Sequence, residues 1–176
     1  QLIIAGFGGQ GIMSMGQMLT YAGMMEGKNV SWLPSYGPEM RGGTANCNII
    51  ISEHEVASPI VTEASSVMVL NKPSLDKFEE AVRKDGIILV NSSLIEKKCS
   101  REDIKVYYVP ASDIALEMGN DKIANMVMLG AYLELTKVVT IESVLDALKK
   151  VLGEAKASLI PINREALERG AACVAS

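Results

Sequence analysis

The chain has 176 residues, of which 48% are hydrophobic and 22% charged. That length suits one domain with a real core, since a folded chain of this size buries roughly 70% of the surface it exposes when unfolded. The apolar fraction excludes an intrinsically disordered chain, and no apolar run approaches the ~20 residues of a membrane-spanning helix. Seventeen basic against 21 acidic residues give a net charge of −4, the wrong sign for a nucleic-acid binder.

Cys47, Cys99 and Cys173 are an odd set, far apart and without a C-x-x-C pair. That argues against a disulfide framework and against a self-contained zinc or iron–sulfur site. His54 is the single histidine, so a Ser-His-Asp triad or a His-rich metal site has almost nothing to draw on. A strand-like run begins at Leu2 with no basic stretch or cleavage site before it, so a reducing, cytoplasmic setting is expected. The absence of an initiator Met leads us to expect a few residues missing at the front.

Short apolar runs alternate with helical patterns, the signature of an α/β domain with a mostly parallel sheet. Leu2-Ile3-Ile4-Ala5 reads as a buried strand ending in a glycine cluster. A helix follows over about Gln10 to Glu26, with Ile12, Met15, Leu19, Ala22 and Met25 at helical spacing. Met13, Met15, Met18, Met24 and Met25 concentrate there, either as adaptable core packing or as a surface that repacks against a partner. Val30 to Leu33 reads as a second strand stopped by Pro34, and Pro34 to Gly43 as a Gly- and Pro-rich loop.

Thr44 to Ser52 alternates strictly. With a turn at Glu53-His54 and a short run from Val56 to Ile60, it predicts a hairpin and hence an antiparallel excursion in the sheet. Val67 to Leu70 is a buried strand again. Pro73 opens a helix whose inner face is Leu75, Phe78 and Val82, and Gly86 is read as its end. Ile87 to Val90 and Val106 to Val109 are further strands, and the chain turns helical after Pro110. Ile123 to Val139 is apolar nearly all round, which places it in the middle of a core or against another chain. Thr140 caps an amphipathic helix with Ile141, Val144, Leu145, Leu148, Val151 and Leu152 inward and Gly153 past its end. A last helix covers about Arg164 to Val174. The expected fold is a three-layer Rossmann-like domain over residues 1–176, with a mostly parallel sheet and an antiparallel hairpin.

Gly6-Phe7-Gly8-Gly9-Gln10-Gly11 matches G-x-G-x-x-G directly after a strand and at the opening of a helix. Such a turn lets a ligand approach the backbone at the positive end of a helix dipole. A dinucleotide site also needs an acid at the end of the second strand, about 20 residues on. Here that stretch reads Ser31-Trp32-Leu33-Pro34, and Glu39 comes too late. A turn that meets a partner or another phosphate-bearing ligand fits better than nicotinamide or flavin. In the second loop Arg41 could present a guanidinium fork to a phosphate or carboxylate, or pair with Glu39 or Glu63. His54 reads as a solvated turn residue and Cys47 as core. Asp85-Gly86 has Lys84 before it rather than glycine, so the Gly-Asp-Gly start of a thiamine–magnesium motif is absent.

Gly6-Phe7-Gly8-Gly9-Gln10-Gly11-Ile12, then Gly16 and Leu19, then Ser35-Tyr36-Gly37-Pro38-Glu39-Met40-Arg41-Gly42-Gly43 resemble the gamma subunit of 2-oxoacid:ferredoxin oxidoreductases. The likeness continues through Ser58-Pro59-Ile60, Pro110-Ala111, Gly119-Asn120 and Asn125-Met126-Val127-Met128-Leu129-Gly130, over about residues 2 to 170. Ser-Tyr-Gly-Pro-Glu looks most like the 2-oxoglutarate branch, with the indolepyruvate, pyruvate and branched-chain branches open. The resemblance implies a subunit of a complex that converts a 2-oxoacid, coenzyme A and oxidised ferredoxin to acyl-CoA, CO2 and reduced ferredoxin. It implies thiamine diphosphate and Mg2+ in alpha and beta partners and iron–sulfur clusters in the beta chain or a small delta chain, with none bound by this chain alone. The gamma chain would then contribute an assembly surface and a coenzyme A-facing one. The candidate contacts are Gly6, Gly8, Gly9, Gln10 and Gly11 in the first loop, and Ser35, Tyr36, Arg41, Gly42 and Gly43 in the second. The rival readings are a stand-alone dinucleotide-binding enzyme and a purely structural interaction module.

Overall fold

The computed structural model describes residues 1–36 and 44–175. Six strands form one sheet in the order β2-β3-β1-β4-β5-β6: β1 Leu2–Phe7, β2 Asn29–Tyr36, β3 Thr44–Ser52, β4 Ala64–Val69, β5 Val82–Asn91 and β6 Lys105–Val109. β1, β4, β5 and β6 pair in parallel, while β3 runs antiparallel to both of its neighbours, β1 and β2. The inverted strand therefore sits inside the sheet, and β2 keeps the direction of β1.

Alternation along the strands divides the apolar residues between two faces. Leu2, Ile4, Cys47, Met68 and Leu89 face a large layer of helices: α1 Ile12–Met25, α3 Ala111–Glu117, α4 Ala124–Thr136, α5 Ile141–Leu152 and α6 Ile160–Val174. Ile3, Ile50, Val67, Val69, Ile88 and Val90 face a thinner layer built from α2, Lys72–Phe78, and the irregular segments carrying Val61, Ile95 and Ile104. The three-layer, mostly parallel expectation holds.

Four local expectations are corrected. β3 forms its hairpin with β2, not with Val56–Ile60, which is not a strand. Pro34 does not stop β2. It pairs opposite Cys47 within the strand, and this is tolerated because β2 lies at the sheet edge, where one side of the strand needs no partner. Gly86 does not end a helix. Phe78 and Val82 mimic a helical repeat, but the chain tightens into a 3-10 turn over Glu79–Ala81 and Val82 already opens β5 opposite Ala64. Gly86 lies inside that strand, where a Cβ would sit 2.8 Å from the Arg83 carbonyl and 2.9 Å from that of Ser65. Val151, expected inward on α5, is 39% exposed.

The uniformly apolar helix resolves as core. In α4, Met126 to Leu133 are all buried, with α6 packed along it. The Met-rich α1 divides its methionines: Met15 and Met18 are buried, Met24 and Met25 exposed.

Candidate functional site

β1 and β4 are neighbours, yet α1 leaves β1 toward the large layer while α2 leaves β4 toward the thin one. The carboxyl ends of these strands thus diverge, and such a point opens a crevice in an open α/β sheet. The glycine turn sits there. Two clefts flank it.

One, of about 330 Å³, lies between the turn and the end of β2. Phe7, Gly8, Gly9, Gly11, Tyr36 and the first residues of α1 line it, and no charged side chain among the described residues does. Tyr36 is 69% exposed and Phe7 38%, so two aromatic rings stand in solvent at the mouth. The other cleft, of about 370 Å³, runs from Gly9 and Gln10 past Leu70 to Asn91, Ser112, Lys122 in the 3-10 turn before α4, and Asn125 at the start of α4. Its charged lining residues are Asp121 and Lys122.

The glycines have distinct reasons for being glycine. Gly6 is buried, and a Cβ there would lie 2.5 Å from Gln10 Oε1 and 2.9 Å from Ile12 Cδ1. Gly11 takes φ 79° as the residue before α1, and a Cβ would strike the Asn125 amide. Both serve packing. Gly8 and Gly9 are the opposite case: both are exposed, a Cβ on either meets nothing within 4 Å, and Gly9 has φ 90°. Of the four glycines in this turn, those two leave open room for a ligand to approach the backbone. α1 has neither a capping side chain nor an acid in its first turn, so its first amides face the uncharged cleft without a competing anion.

Gln10 is turned inward. Its Oε1 accepts from the Phe7 amide at 2.6 Å, and its Nε2 donates to the Leu70 carbonyl at 3.1 Å. Ser35 pairs opposite Asn46 on the sheet edge and lines neither cleft. Arg41, Gly42 and Gly43 lie outside the described residues. β2 and β3, on either side of that segment, meet at Tyr36–Ala45, and β3 meets β1 at Phe7–Thr44, at the end of the sheet that carries the glycine turn.

Of the residues lining this second cleft, sequence reasoning did not single out Asn91, Ser112 or Lys122, and it named Asn125 only within the family likeness. The usable signal is position: Asn91 ends β5, Ser112 opens the helix after β6, and ligands gather at the carboxyl ends of parallel strands. Asn91 is 1% exposed and donates to Ser112 Oγ at 3.0 Å, so this wall is already hydrogen-bonded internally.

Among the described residues no three His, Cys, Asp or Glu side chains group to hold a metal ion, and no helix is long and apolar enough to cross a membrane. Cys47 is buried, Cys99 half-buried and Cys173 exposed.

An open α/β sheet with a glycine turn at its switch point, and no acid among the described residues of the second strand, defines a Rossmann-like domain without the usual ribose anchor on that strand. The chain belongs to the pyruvate ferredoxin/flavodoxin oxidoreductase family, which matches residues 1–173. It is 41% identical over 169 residues to the ketoisovalerate oxidoreductase subunit VorA of Methanothermobacter marburgensis, covering 96% of this chain but 35% of that subunit. The chain thus spans about a third of the length of that relative. It is 33% identical over 157 residues to the 2-oxoglutarate synthase subunit KorC of Methanocaldococcus jannaschii, covering 85% of this chain and 84% of KorC. The solved gamma subunit of a keto/oxoacid ferredoxin oxidoreductase from Geobacter sulfurreducens superposes with a TM-score of 0.83 at 27% identity, over 98% of this chain and 96% of that one. The chain is therefore a gamma-type domain of this family.

Proposed function

We propose that the chain acts as the gamma component of a thiamine-diphosphate-dependent 2-oxoacid:ferredoxin oxidoreductase and presents a coenzyme A-facing surface, with thiamine diphosphate and Mg2+ in alpha and beta partners and iron–sulfur clusters in the beta chain or a small delta chain. The observation that carries this is Tyr36 beside the open Gly8–Gly9 turn, in a cleft that no carboxylate lines among the described residues. Backbone amides at a helix start suit a phosphate, and the exposed phenol offers an apolar face with a polar tip. In this reading Gly8, Gly9 and Tyr36 contact coenzyme A, Arg41, Gly42 and Gly43 extend the contact, and ferredoxin is met through the complex.

For the 2-oxoacid, Ser35-Tyr36-Gly37-Pro38-Glu39 supports 2-oxoglutarate. A branched-chain acid is the second reading, favoured by the higher identity to the ketoisovalerate subunit. A Pyrococcus abyssi relative, 33% identical, is named as the gamma subunit common to pyruvate and ketoisovalerate oxidoreductases. That supports placing substrate choice outside this chain.

The test is purification of the complex from the native host, followed by coenzyme A-dependent dye reduction with 2-oxoglutarate, pyruvate and 3-methyl-2-oxobutanoate in turn. Copurification with thiamine-binding chains and activity on one of these acids is the expected result. A chain that purifies alone, or is active alone, overturns the reading.

A further inference from the structure

We propose that Gln10 is a positioning residue whose side chain sets the width of the crevice between β1 and β4 and holds the Gly8–Gly9 turn in place; this rests on the coenzyme A reading above. The fingerprint makes Gln10 look like a ligand contact, but both ends of its amide are already engaged. Oε1 takes the Phe7 N–H at 2.6 Å, and Nε2 gives a hydrogen to the Leu70 carbonyl at 3.1 Å. Its own backbone N–H closes the turn on the Phe7 carbonyl at 3.2 Å. Phe7 ends β1 and Leu70 directly follows β4. One planar amide therefore bridges the two strand ends that diverge into opposite layers.

The surroundings are built for it. The absent Cβ of Gly6 leaves the space Gln10 Oε1 occupies, since a Cβ would stand 2.5 Å away and 3.2 Å from Leu70 Cβ. Glutamine is required chemically because one end must accept and the other donate. Glutamate accepts at both ends and sets an oxygen against the Leu70 carbonyl. Gln10 also lines the cleft that continues to Asn91 and Asn125, so its position fixes the wall between the two clefts. Releasing it frees the Phe7 amide and lets the turn drift from β4, with the coenzyme A-facing amides of Gly8 and Gly9 displaced.

The experiment compares the native complex with complexes carrying Gln10→Glu and Gln10→Ala, by amide exchange of the Phe7–Gly11 peptide and by steady-state kinetics. Expected are exchange accelerated about tenfold or more in both variants, roughly one lost net hydrogen bond, and a coenzyme A KM raised about tenfold. The kcat at saturating coenzyme A and the 2-oxoacid KM should stay within about twofold. A merely structural glutamine would instead lower kcat and the melting temperature with an unchanged KM, and that result overturns the proposal. Exchange unchanged in Gln10→Glu also overturns it, since the Leu70 bond would then hold nothing. Accelerated exchange with unchanged coenzyme A kinetics leaves the bridge standing but overturns the coenzyme A reading, and with it the positioning role.

Discussion

Gly130 of α4 and Gly170 of α6 interlock: a Cβ on either would enter the backbone of the opposite helix. For Gly130 the obstruction is Leu167, whose Cα would lie 2.7 Å away; for Gly170 it is Val127, with the Ala131 nitrogen at 3.1 Å. Two helices approach this closely only where side chains are missing. That contact seats α6 on α4, and α4 in turn carries Asn125 to the back of the glycine turn.

Gly130→Ala and Gly170→Ala should therefore each destabilise the fold by about 3 kcal/mol, since the obstacle is backbone and cannot rotate away. The double variant should cost clearly less than the sum, because either methyl already forces the helices apart. Urea midpoints at unchanged m-value measure this. Additive losses would mean the two glycines act separately.

Gly6 and Gly8 make a sharper contrast within one motif. Gly6→Ala should cost about 1–3 kcal/mol by pushing on Gln10 and Ile12. Gly8→Ala should leave stability within about 0.5 kcal/mol, since a Cβ there meets nothing within 4 Å. In the assembled complex the order should reverse for ligand: Gly8→Ala raises the coenzyme A KM about tenfold by holding the ligand off the backbone. Thermal melts together with coenzyme A titrations decide it, and an unchanged KM in Gly8→Ala removes Gly8 from the site.

Much of this was legible because it is local. Burial alternation gave β3 its bounds, and Thr140 and Gly153 gave those of α5, since caps and period act within a few residues. The strand partner of β3 was not legible. Val56–Ile60 follows β3 more closely, and only the three-dimensional order reveals that β2 returns to pair with it. The roles of the motif glycines were hidden for the same reason: Gly6 is constrained by Leu70 and Gly11 by Asn125, residues remote in sequence. Pro34 and Gly86 misled because their usual roles as breakers were outweighed by a free sheet edge and by a strand too crowded for a Cβ.

Glu26 should make stability pH-dependent. Its Oε1 accepts from the Thr140 amide and from Ser143 Oγ, both at 2.8 Å, with Lys28 at 3.5 Å from Oε2. Burial pushes its pKa up, but those hydrogen bonds and Lys28 outweigh it and hold the carboxyl below its usual value of 4.5. A lowered native pKa stabilises fully above the unfolded value and loses that contribution as pH falls through the native one. Glu26→Gln should thus cost about 1–2 kcal/mol at pH 7, and the gap to the parent should close as the pH drops below 4.5. Urea midpoints at pH 7 and pH 3 measure it; a gap equally wide at both would exclude Glu26 as the source.

Thiol labelling should order the cysteines as Cys173, then Cys99, then Cys47. The first is exposed, the second half-buried, and the third fully buried with its pKa pushed up to about 12 by desolvation. Only the thiolate reacts and burial raises the Cys99 and Cys173 pKa as well, so labelling at pH 8 should be slow, reaching those two in the native chain and the third only after unfolding. Mass spectrometry of labelled peptides assigns them. Modification of Cys47 ahead of Cys99 would show that the sheet opens locally at β3.

Arg41 carries the last prediction, which concerns the second loop. Tyr36 and Thr44, the described residues that flank it, lie beside the turn where Gly8 and Gly9 are open, and the adjoining cleft has no charge of its own among the described residues. A phosphate held there by backbone amides lacks a counter-charge, and a guanidinium would supply one through two parallel hydrogen bonds. Such a charge-assisted contact contributes roughly 1.5–3 kcal/mol. Arg41→Ala should then raise the coenzyme A KM in the assembled complex about ten- to a hundredfold, with the 2-oxoacid KM almost unmoved. Arg41→Lys should recover only part of the loss, because an ammonium keeps the charge without the fork. A complex that assembles normally with unchanged coenzyme A kinetics would remove Arg41 from the site and leave Gly8, Gly9 and Tyr36 to bind without a cation.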